Sequence, residues 1–344
     1  MGKWFRAACA AAAVAAVTAG CSAGSSSSGA AMSFGPPEKT TLNVSVVPAM
    51  DSAGFFVALH QGLFASEGLT INYTPATSSE TAIGTQLQGK FDITGGNYVS
   101  YIQAVAKEKA PLEVVAEGSI MQQSTQVIFT MPNSKIKTLA GLKGHLLGVN
   151  APENIDYLLD VSVLAENGID LKNVKFPTQA IPFPVMGQAL QSGKVAAATM
   201  PEPFASLAEQ QLGAVTLADL NQGATQNFPI EGYVVTKTWA KNNPNTLKRF
   251  LAALEQGQEI ADTNRAAVEQ AFEKIKGPQN GQVPAGIASV IALDTYPIGV
   301  DQARLQRVAD VMYQFGLLPS QFNISPMLLP SSFFDFAAFS ASTP

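Results

Sequence analysis

The sequence predicts an α/β protein divided into two lobes of similar plan, and three observations predict this class. Short β-branched segments alternate with segments of helical periodicity along most of the chain, as in sheets that are covered by helices. A helix–strand–helix–strand pattern occurs twice at similar spacing. The 344 residues also exceed the size, roughly 250–300 residues, at which a single hydrophobic core usually stops growing. The alternative is one large doubly wound sheet whose halves are similar by coincidence.

The first predicted lobe opens on alternating β-branched residues from Thr41, and its helices end at turn-forming glycines. The TSSE run at 77–80 has the capping-box pattern that opens a helix. The expected strands are 41–47, 69–75, 91–94 and 112–117, and the expected helices are 55–66, 77–88 and one that ends at 107.

The second predicted lobe repeats this layout. The segment LQGKFDI at 87–93 matches LQSGKVA at 190–196, and the segment 63–69 matches 164–169. Both matches place a glycine between a helix and the strand that follows it. The expected strands are 127–131, 146–149, 174–177 and 195–199, and the expected helices are one that ends at 166 and 185–191.

The segments after residue 232 are expected to return to the first lobe. They comprise a strand at 233–236 and helices at 244–264, 265–275, 283–293 and 301–315. The chain then crosses between the lobes twice, near 124–127 and near 230–233, and two crossing segments make a hinge. The expected domains are a signal peptide at 1–20, a lipidated cysteine and flexible tether at 21–39, lobe 1 at 40–125 with 233–325, lobe 2 at 126–232 and a C-terminal tail at 326–344.

The first 21 residues have the pattern of an export signal. Lys3 and Arg6 precede an apolar stretch that is too short to span a bilayer comfortably. The TAGC run that ends at Cys21 resembles a bacterial lipobox, with Thr18 where leucine is usual, and the serine-rich segment 22–29 is typical of a tether. We expect lipidation at Cys21 and an exported protein anchored to the outer face of the cell membrane. A plain secretory leader that leaves a free thiol is the alternative.

Charge and cysteine content disfavour several classes of protein. The chain has 21 basic and 26 acidic residues, a net charge of −5, whereas nucleic-acid binding needs a basic surface. One of the two cysteines, Cys9, lies in the leader, so the mature chain is expected to form no internal disulfide. No later run reaches the ~18 apolar residues of a membrane helix.

Polar residues cluster where predicted strands end, which is where open α/β sheets bind ligands in front of helix N-termini. These loops hold hydroxyls, amides and a few carboxylates, but no Lys or Arg. They favour a neutral or amine-bearing solute, such as a heterocycle stacked on Phe55, Tyr98 or Phe204. The candidate ligand-binding residues are Asp51, Ser52, Thr77, Ser78, Gly96, Asn97, Gln123, Asn154 and Glu202.

Several of these residues also have a purely structural interpretation. Asp51, Ser78 and Asn154 have side chains that commonly cap helices. Gly96 and the glycine before it suit a tight turn, and Glu202 between two prolines suits a helix N-terminus. Only their shared position at strand ends favours a binding role.

Catalytic and metal-binding signals are weak. His60 and His145 have no neighbours with metal-ligand spacing. The sequence has no nucleophile elbow, no dinucleotide-binding glycine motif and no phosphate-binding loop. We therefore expect no catalytic residue, no metal and no cofactor.

Five motifs in a fixed order carry a family resemblance. They are GLF with EGL at 62–69, QGKFDI at 88–93, LAGLKG at 139–144, LQSGKV at 190–195 and PEP at 201–203. In this order they resemble the substrate-binding proteins of ABC importers for nitrate, taurine, aliphatic sulfonates and thiamine-precursor pyrimidines, the SsuA/THI5-like kind. The similarity covers roughly 41–315. AAA at 196–198 and LL at 146–147 depart from the family pattern and leave the solute open.

The resemblance implies a type II periplasmic-binding fold, with two mixed sheets flanked by helices and a ligand in the cleft between the lobes. It implies ligand contacts at the loop Asp51–Ser52, the cap Thr77–Ser78, Gly96–Asn97, Asn154 and Glu202. It also implies ABC permease and ATPase subunits as partners and no enzymatic activity. We also expect a monomer.

Other functions fit the same fold. One is an enzyme, such as a pyrimidine synthase or a menaquinone-pathway dehydratase, and another is a ligand-sensing ectodomain without a transporter. The alternative solutes are taurine, alkanesulfonates and nitrate.

Overall fold

The computed structural model describes residues 34–275, 282–330 and 333. The predicted signal peptide and Cys21 lie outside the described residues, as does the predicted tether up to residue 33. Two mixed sheets flanked by helices form the described part of the chain. This is the architecture that the sequence predicts.

The first sheet has the strand order β2-β1-β3-β9-β4. Its strands are β1 (Thr41–Val46), β2 (Thr70–Pro75), β3 (Ile93–Asn97), β4 (Leu112–Ile120) and β9 (Pro229–Thr236). β1 pairs in parallel with β2 and β3, whereas β9 runs antiparallel to both β3 and β4. In β1, the alternate residues Leu42, Val44 and Val46 are fully buried, as expected for a strand with a face on the core.

The second sheet has the strand order β6-β7-β5-β8. Its strands are β5 (Gln126–Thr130), β6 (Leu147–Gly148), β7 (Ala197–Pro201) and β8 (Val215–Asp219). β6 pairs in parallel with β7, and β5 runs antiparallel to β7 and β8. Each sheet therefore contains one strand that runs against its neighbours.

Helices cover both sheets. They are α1 (Ala53–His60), α2 (Leu63–Ser66), α3 (Ser79–Leu87), α4 (Tyr98–Glu108), α5 (Ile155–Glu166), α6 (Phe183–Gln191), α7 (Phe204–Leu212), α8 (Lys237–Asn242), α9 (Pro244–Thr263), α10 (Arg265–Lys274), α11 (Ala285–Ala288) and α12 (Gln302–Gln314). α9 buries Leu247, Phe250 and Leu254 at helical spacing, which is the apolar stripe that the sequence predicts.

The internal repeat has a structural counterpart. Gly89 follows α3 and Gly193 follows α6, and both have a left-handed backbone, with φ of 79° and 75°. Glycine adopts this conformation at little cost, so it suits the turn from a helix into the next strand.

Two segments connect the sheets: 121–125 joins β4 to β5, and 220–228 joins β8 to β9. The Met121 N–H donates to the Phe228 carbonyl at 2.8 Å, so the two segments are hydrogen-bonded side by side. This is the arrangement of a two-segment hinge.

Four local predictions are wrong. The helix expected at 55–66 divides into α1 and α2, because Gly62 has a left-handed φ of 75°. The strand expected at 174–177 is a single bridge between Leu146 and Lys175, and the helix expected at 283–293 shortens to α11. The glycines before Asn97 belong to β3 and do not form a turn.

The two ends of the described chain pack against the first sheet and its helices. Residues 34–39, which we assigned to the tether, contact the start of α9, where the Glu38 carboxylate accepts the N–H groups of Asn245 and Thr246. In the predicted tail, Leu328 pairs with Val114 at the edge of the first sheet. Within the described residues, no helix combines the length and the apolar content that a bilayer crossing requires.

Candidate functional site

The facing ends of the two sheets enclose a small cavity of about 20 Å³, which we call the polar chamber. Its lining includes eight polar side chains: Asp51, Ser79, Asn97, Gln126, Asn150, Asn154, Asp156 and Glu231. Val47, Ile155, Phe183, Pro201 and Ile230 complete it. The polar chamber lies at the place where the sequence predicts a ligand, between strand ends.

Asn97 and Ser79 form the part of the chamber that the first sheet supplies. Asn97 ends β3 and caps α4, where its Oδ1 accepts the Ser100 N–H at 2.9 Å. Its own N–H and its side-chain amide both donate to the Ser79 hydroxyl at 2.9 Å. The cap thus fixes the Asn97 side chain at the helix N-terminus.

Asn154 and Asp156 form the part that the second sheet supplies. Asn154 caps α5 and accepts the Tyr157 N–H at 3.2 Å. Asp156 lies in the first turn of α5, where its Oδ2 accepts the Asn150 N–H at 2.9 Å. The Asn150 side chain donates across the cleft to the Thr77 carbonyl at 3.2 Å, so the two sets of strand ends are in direct contact.

Two further residues come from the antiparallel strands. Gln126 begins β5 and Glu231 lies near the start of β9. Because these strands run against their neighbours, their amino ends lie at the same edge as the carboxyl ends of the parallel strands. Gln126 donates to Asp51 Oδ1 at 3.4 Å, and the Ser52 hydroxyl donates to the Glu231 carboxyl.

Three buried carboxyl groups interact at this chamber: Asp51 and Glu231 line it, and Asp294 interacts with Asp51 from outside the lining. Burial raises the pKa of each group, and the charge of Asp51 raises the pKa of Glu231 and Asp294 further. Like charges this close cannot all be ionised in a desolvated site, so protonated forms are favoured when no counter-ion is present.

Asp156 is a carboxyl group of the polar chamber with an unpaired acceptor atom. Burial raises the pKa of Asp156 to about 7, against the opposing effect of the Asn150 N–H. Its Oδ1 atom is buried without a hydrogen-bond partner among the described residues, and the same holds for Gln126 Oε1. Buried polar atoms without partners are rare, and they cost free energy until a ligand or water satisfies them.

An apolar chamber of about 210 Å³ adjoins the polar chamber, with Val47 and Phe183 common to both. The rings of Phe183 and Phe204 stack at 5.5 Å between centroids with an interplanar angle of 24°. The remaining lining residues are Pro48, Pro75, Ala76, Thr77, Pro182 and Pro184.

A third cavity of about 690 Å³, the outer chamber, lies between α6 and α7. It shares Phe183, Pro184 and Phe204 with the apolar chamber. Phe183 therefore lines all three chambers. No Lys, Arg or His of the described chain lines any of them.

The structure gives several predicted site residues other positions. Thr77 lines the apolar chamber, and Ser78 caps α3 by accepting the Thr81 N–H at 3.3 Å, so the cap lies one residue later than the TSSE pattern suggests. Ser52 is fully buried and is not among the residues that line the three chambers. Gly96 packs against Ser79, which a Cβ would meet at 2.8 Å, and Gln123 is exposed on the crossing segment.

Glu202 is a bridging residue outside the chamber linings. Its carboxyl group accepts the Ser206 N–H at 3.0 Å in α7 and the Ala292 N–H at 3.1 Å. Its carbonyl accepts the Met50 N–H at 2.8 Å, and its own N–H donates to Thr125. These bonds support the helix-capping interpretation. Burial raises the pKa of Glu202 to about 7.

Two of the three aromatic residues expected to stack on a ligand lie in the core. Phe55 is surrounded by Phe56, Phe64 and Tyr73, and Tyr98 is fully buried. Phe204 lines the apolar and outer chambers, where its ring is available to a ligand. Periodicity could not separate these positions, because an aromatic residue near a strand end can point to the core or to the cleft.

The residues that sequence reasoning missed are Ser79, Gln126, Asn150, Asp156 and Glu231. A usable signal existed for two of them. Glu231 lies in the otherwise apolar strand PIEGYVVT, and Asp156 lies in the mostly apolar helix IDYLLDVSVLAE. A carboxyl group inside an apolar element is costly unless it has a partner or a role.

A family model described as NMT1/THI5 like matches residues 49–265. The chain belongs to this family. The matched segment contains every residue that lines the polar chamber except Val47, which precedes it.

Curated relatives of this NMT1/THI5-like protein are distant. One is a Haemophilus influenzae protein named for thiamine biosynthesis, 25% identical over 303 residues, which are 82% of this chain and 88% of the relative. Another is an Escherichia coli protein named for binding aliphatic sulfonates, 27% identical over 203 residues, which are 58% of this chain and 61% of the relative.

Solved structures show the same fold. The nitrate-binding protein NrtA of Synechocystis PCC 6803 superposes with a TM-score of 0.76 at 16% identity, covering 90% of this chain and 91% of NrtA. The alkanesulfonate-binding protein SsuA of Xanthomonas axonopodis pv. citri, bound to MOPS, has a TM-score of 0.69 at 17% identity, covering 85% of this chain and 99% of SsuA. The predicted periplasmic-binding fold is confirmed.

Proposed function

We propose that this protein is the extracytoplasmic solute-binding component of an ABC importer, which captures one small organic solute between its two lobes and delivers it to a permease. We further propose that it is exported and anchored by lipid at Cys21. In this proposal residues 40–125 with the chain from β9 to 325 form one lobe and 126–228 form the other; the boundary expected after 232 moves to the start of β9, because that whole strand belongs to the first sheet.

One observation carries the proposal: the polar and apolar chambers lie between the facing ends of two sheets that two adjacent crossing segments connect, and the outer chamber adjoins them. Closure around a hinge of this kind buries a ligand from both sides. Family membership and the named binding functions of the structural relatives support the same function.

A thermal-shift screen tests the proposal. Amines, pyrimidines, taurine, alkanesulfonates and nitrate are each added to the purified mature protein. A solute that binds only the native state at 100 times its Kd stabilises that state by about 2.7 kcal/mol, which is a readily measured shift. The bound solute should be recovered chemically unchanged.

Phe183→Ala locates the binding event, because Phe183 lines all three chambers. We expect this variant to lower solute affinity at least tenfold. Val185→Ala is the matched control, since Val185 lies on the same helix and is 45% exposed. Equal loss of affinity in both variants, or none in either, would remove the binding site from the cleft.

An enzyme on this fold is the competing function, and the relative named for thiamine biosynthesis is the observation that favours it. Mass spectrometry of the recovered solute distinguishes the two. A product formed in proportion to time and protein concentration would replace solute binding with catalysis as the function.

A further inference from the structure

We propose that the solute is an organic amine whose ammonium group occupies the polar chamber while its apolar body lies in the adjoining apolar chamber, an inference that rests on the proposed function.

The charged groups that line the cleft favour a cationic solute. The polar chamber contains the carboxyl groups of Asp51, Asp156 and Glu231, and no cationic side chain of the described chain lines it or its two neighbours. An anion placed here would find no cationic side chain to compensate its charge, and it would oppose ionisation of these carboxyl groups. A cation would instead stabilise their ionised forms, so the lining favours a cation over sulfonates and nitrate.

Unpaired acceptor atoms in the polar chamber favour an ammonium group. Asp156 is 1% exposed and Gln126 is 2% exposed. Neither Asp156 Oδ1 nor Gln126 Oε1 has a hydrogen-bond partner among the described residues. An ammonium group has three N–H donors and no acceptor. It would satisfy both atoms, whereas a carboxylate or sulfonate ligand offers only acceptors.

The size of the polar chamber suits a small head group. Its volume of about 20 Å³ holds one group the size of a water molecule. An ammonium head group is of that size, but a tetrahedral sulfonate is larger. Within the described residues no group of three His, Cys, Asp or Glu side chains could hold a metal ion, which favours an organic cation over a metal.

The adjoining apolar chamber can hold the apolar body of the same solute. Val47 and Phe183 line both chambers, so a single ligand can extend from one into the other. The apolar chamber has about 210 Å³, whereas a dry cavity of roughly 150 Å³ is already enough for benzene. Its stacked Phe183–Phe204 pair offers a flat surface for an aromatic or cyclic body.

Binding of an ammonium group is expected to release a proton from the chamber. Binding converts a protonated Asp156 carboxyl and a free ammonium into an ion pair, and the displaced proton leaves to the buffer. The pKa of Asp156, raised to about 7 by burial, permits this exchange near neutral pH. The charges of Asp51 and Glu80 raise the pKa of Asp156, whereas the Asn150 N–H and the Asn154 side chain lower it. The buried Asp160 also interacts electrostatically with Asp156.

Isothermal titration calorimetry with three matched probes tests the inference: benzylamine, benzyl alcohol and phenylmethanesulfonate, at pH 6.5 in two buffers of different ionisation enthalpy. We expect benzylamine to bind at least tenfold tighter than benzyl alcohol, and phenylmethanesulfonate not to bind. The difference between the buffers should show proton release with benzylamine alone.

Asp156→Asn is the decisive variant, because it keeps the size of the side chain and removes its charge. We expect benzylamine affinity to fall at least tenfold and proton release to disappear, with benzyl alcohol unchanged. Gln126→Met, a second variant, should weaken benzylamine several-fold. Asp310→Asn on α12 is the control for an acidic group outside the chambers and should bind like the parent.

The outcomes separate this inference from the proposed function. Binding of phenylmethanesulfonate as tightly as benzylamine, or equal benzylamine affinity in Asp156→Asn and Asp310→Asn, overturns the amine assignment and leaves solute binding in place. Stabilisation by a sulfonate, nitrate or an uncharged pyrimidine without any response to amines does the same. No response to any solute class overturns both proposals.

Discussion

Glu117 in β4 shows how a single ion pair is built into this fold. Its side chain is fully buried, and its two carboxylate oxygens accept Nε and Nη2 of Arg304 at 2.8 and 3.1 Å. The Asp301 N–H donates to the same carboxylate. The pair attaches the start of α12 to the first sheet, so it joins residues that are 187 positions apart in the chain.

Arg304→Met should therefore destabilise the protein strongly. The substitution leaves the Glu117 carboxylate buried without its counter-ion, which typically costs about 3–5 kcal/mol. Lys107→Met is the control, because the Lys107–Glu153 pair is exposed on both sides and such pairs contribute about 0–1 kcal/mol. Urea unfolding measures both losses, and equal losses would contradict the assignment of Glu117 as a buried charge that depends on Arg304.

At the scale of elements, the contact between α1 and α9 depends on two glycines. A Cβ at Gly54 would meet the Cα of Gln258 at 3.0 Å, and a Cβ at Gly257 would meet the Cβ of Ala58 at 2.7 Å. The helices can approach this closely only because neither position carries a side chain. Residues of α1 and α9 belong to the same hydrophobic core as the buried aromatic residues and the first sheet.

Gly257→Ala should cost about 1–3 kcal/mol, because an added methyl group in a tight contact forces backbone or side-chain shifts. Gly84→Ala is the matched control: Gly84 also lies inside a helix, α3, but a Cβ there would meet nothing within 4 Å. In that open position alanine should stabilise by about 0.5–1 kcal/mol through its higher helix propensity. Changes of the same sign in both variants, measured by thermal unfolding, would show that helix packing does not decide the effect.

At the scale of the whole molecule, the cleft concentrates buried acidic groups between the two sheets. Burial raises the pKa of Asp156 and of Glu202 to about 7. A carboxyl group with a raised pKa binds its proton more tightly in the native state than in the unfolded state. Its contribution to stability is therefore greatest at low pH and falls as the pH rises toward the native-state value.

The free energy of unfolding without ligand should thus decrease between pH 5.5 and pH 8, by about 2 kcal/mol for each of these two groups. Urea unfolding at both pH values measures the change. Asp156→Asn should remove its own share of the pH dependence, whereas Asp310→Asn should keep the parent's dependence. Stability that rises over this interval would show that the cleft carboxyl groups are ionised in the native state.

Much of the element order could be predicted, because hydrophobic periodicity and capping residues act locally. Asn154 caps a helix at a strand end, as its sequence context indicates, Asn97 caps one as well, and both line the polar chamber. The prediction failed where a single backbone angle decides the outcome. Gly62 ends α1 with a left-handed φ, which the periodicity of 55–66 does not reveal.

The sequence by itself determined the α/β class, the two similar halves, the helix caps and the absence of Lys and Arg from the strand-end loops, because each depends on residues close together in the chain. Only the tertiary structure decided that Gln126 and Glu231 join the site, since that depends on two strands running antiparallel to their neighbours. It also decided the volumes of the three chambers, and hence which polar atoms remain without partners, because packing across the cleft depends on all the contacts of both sheets at once.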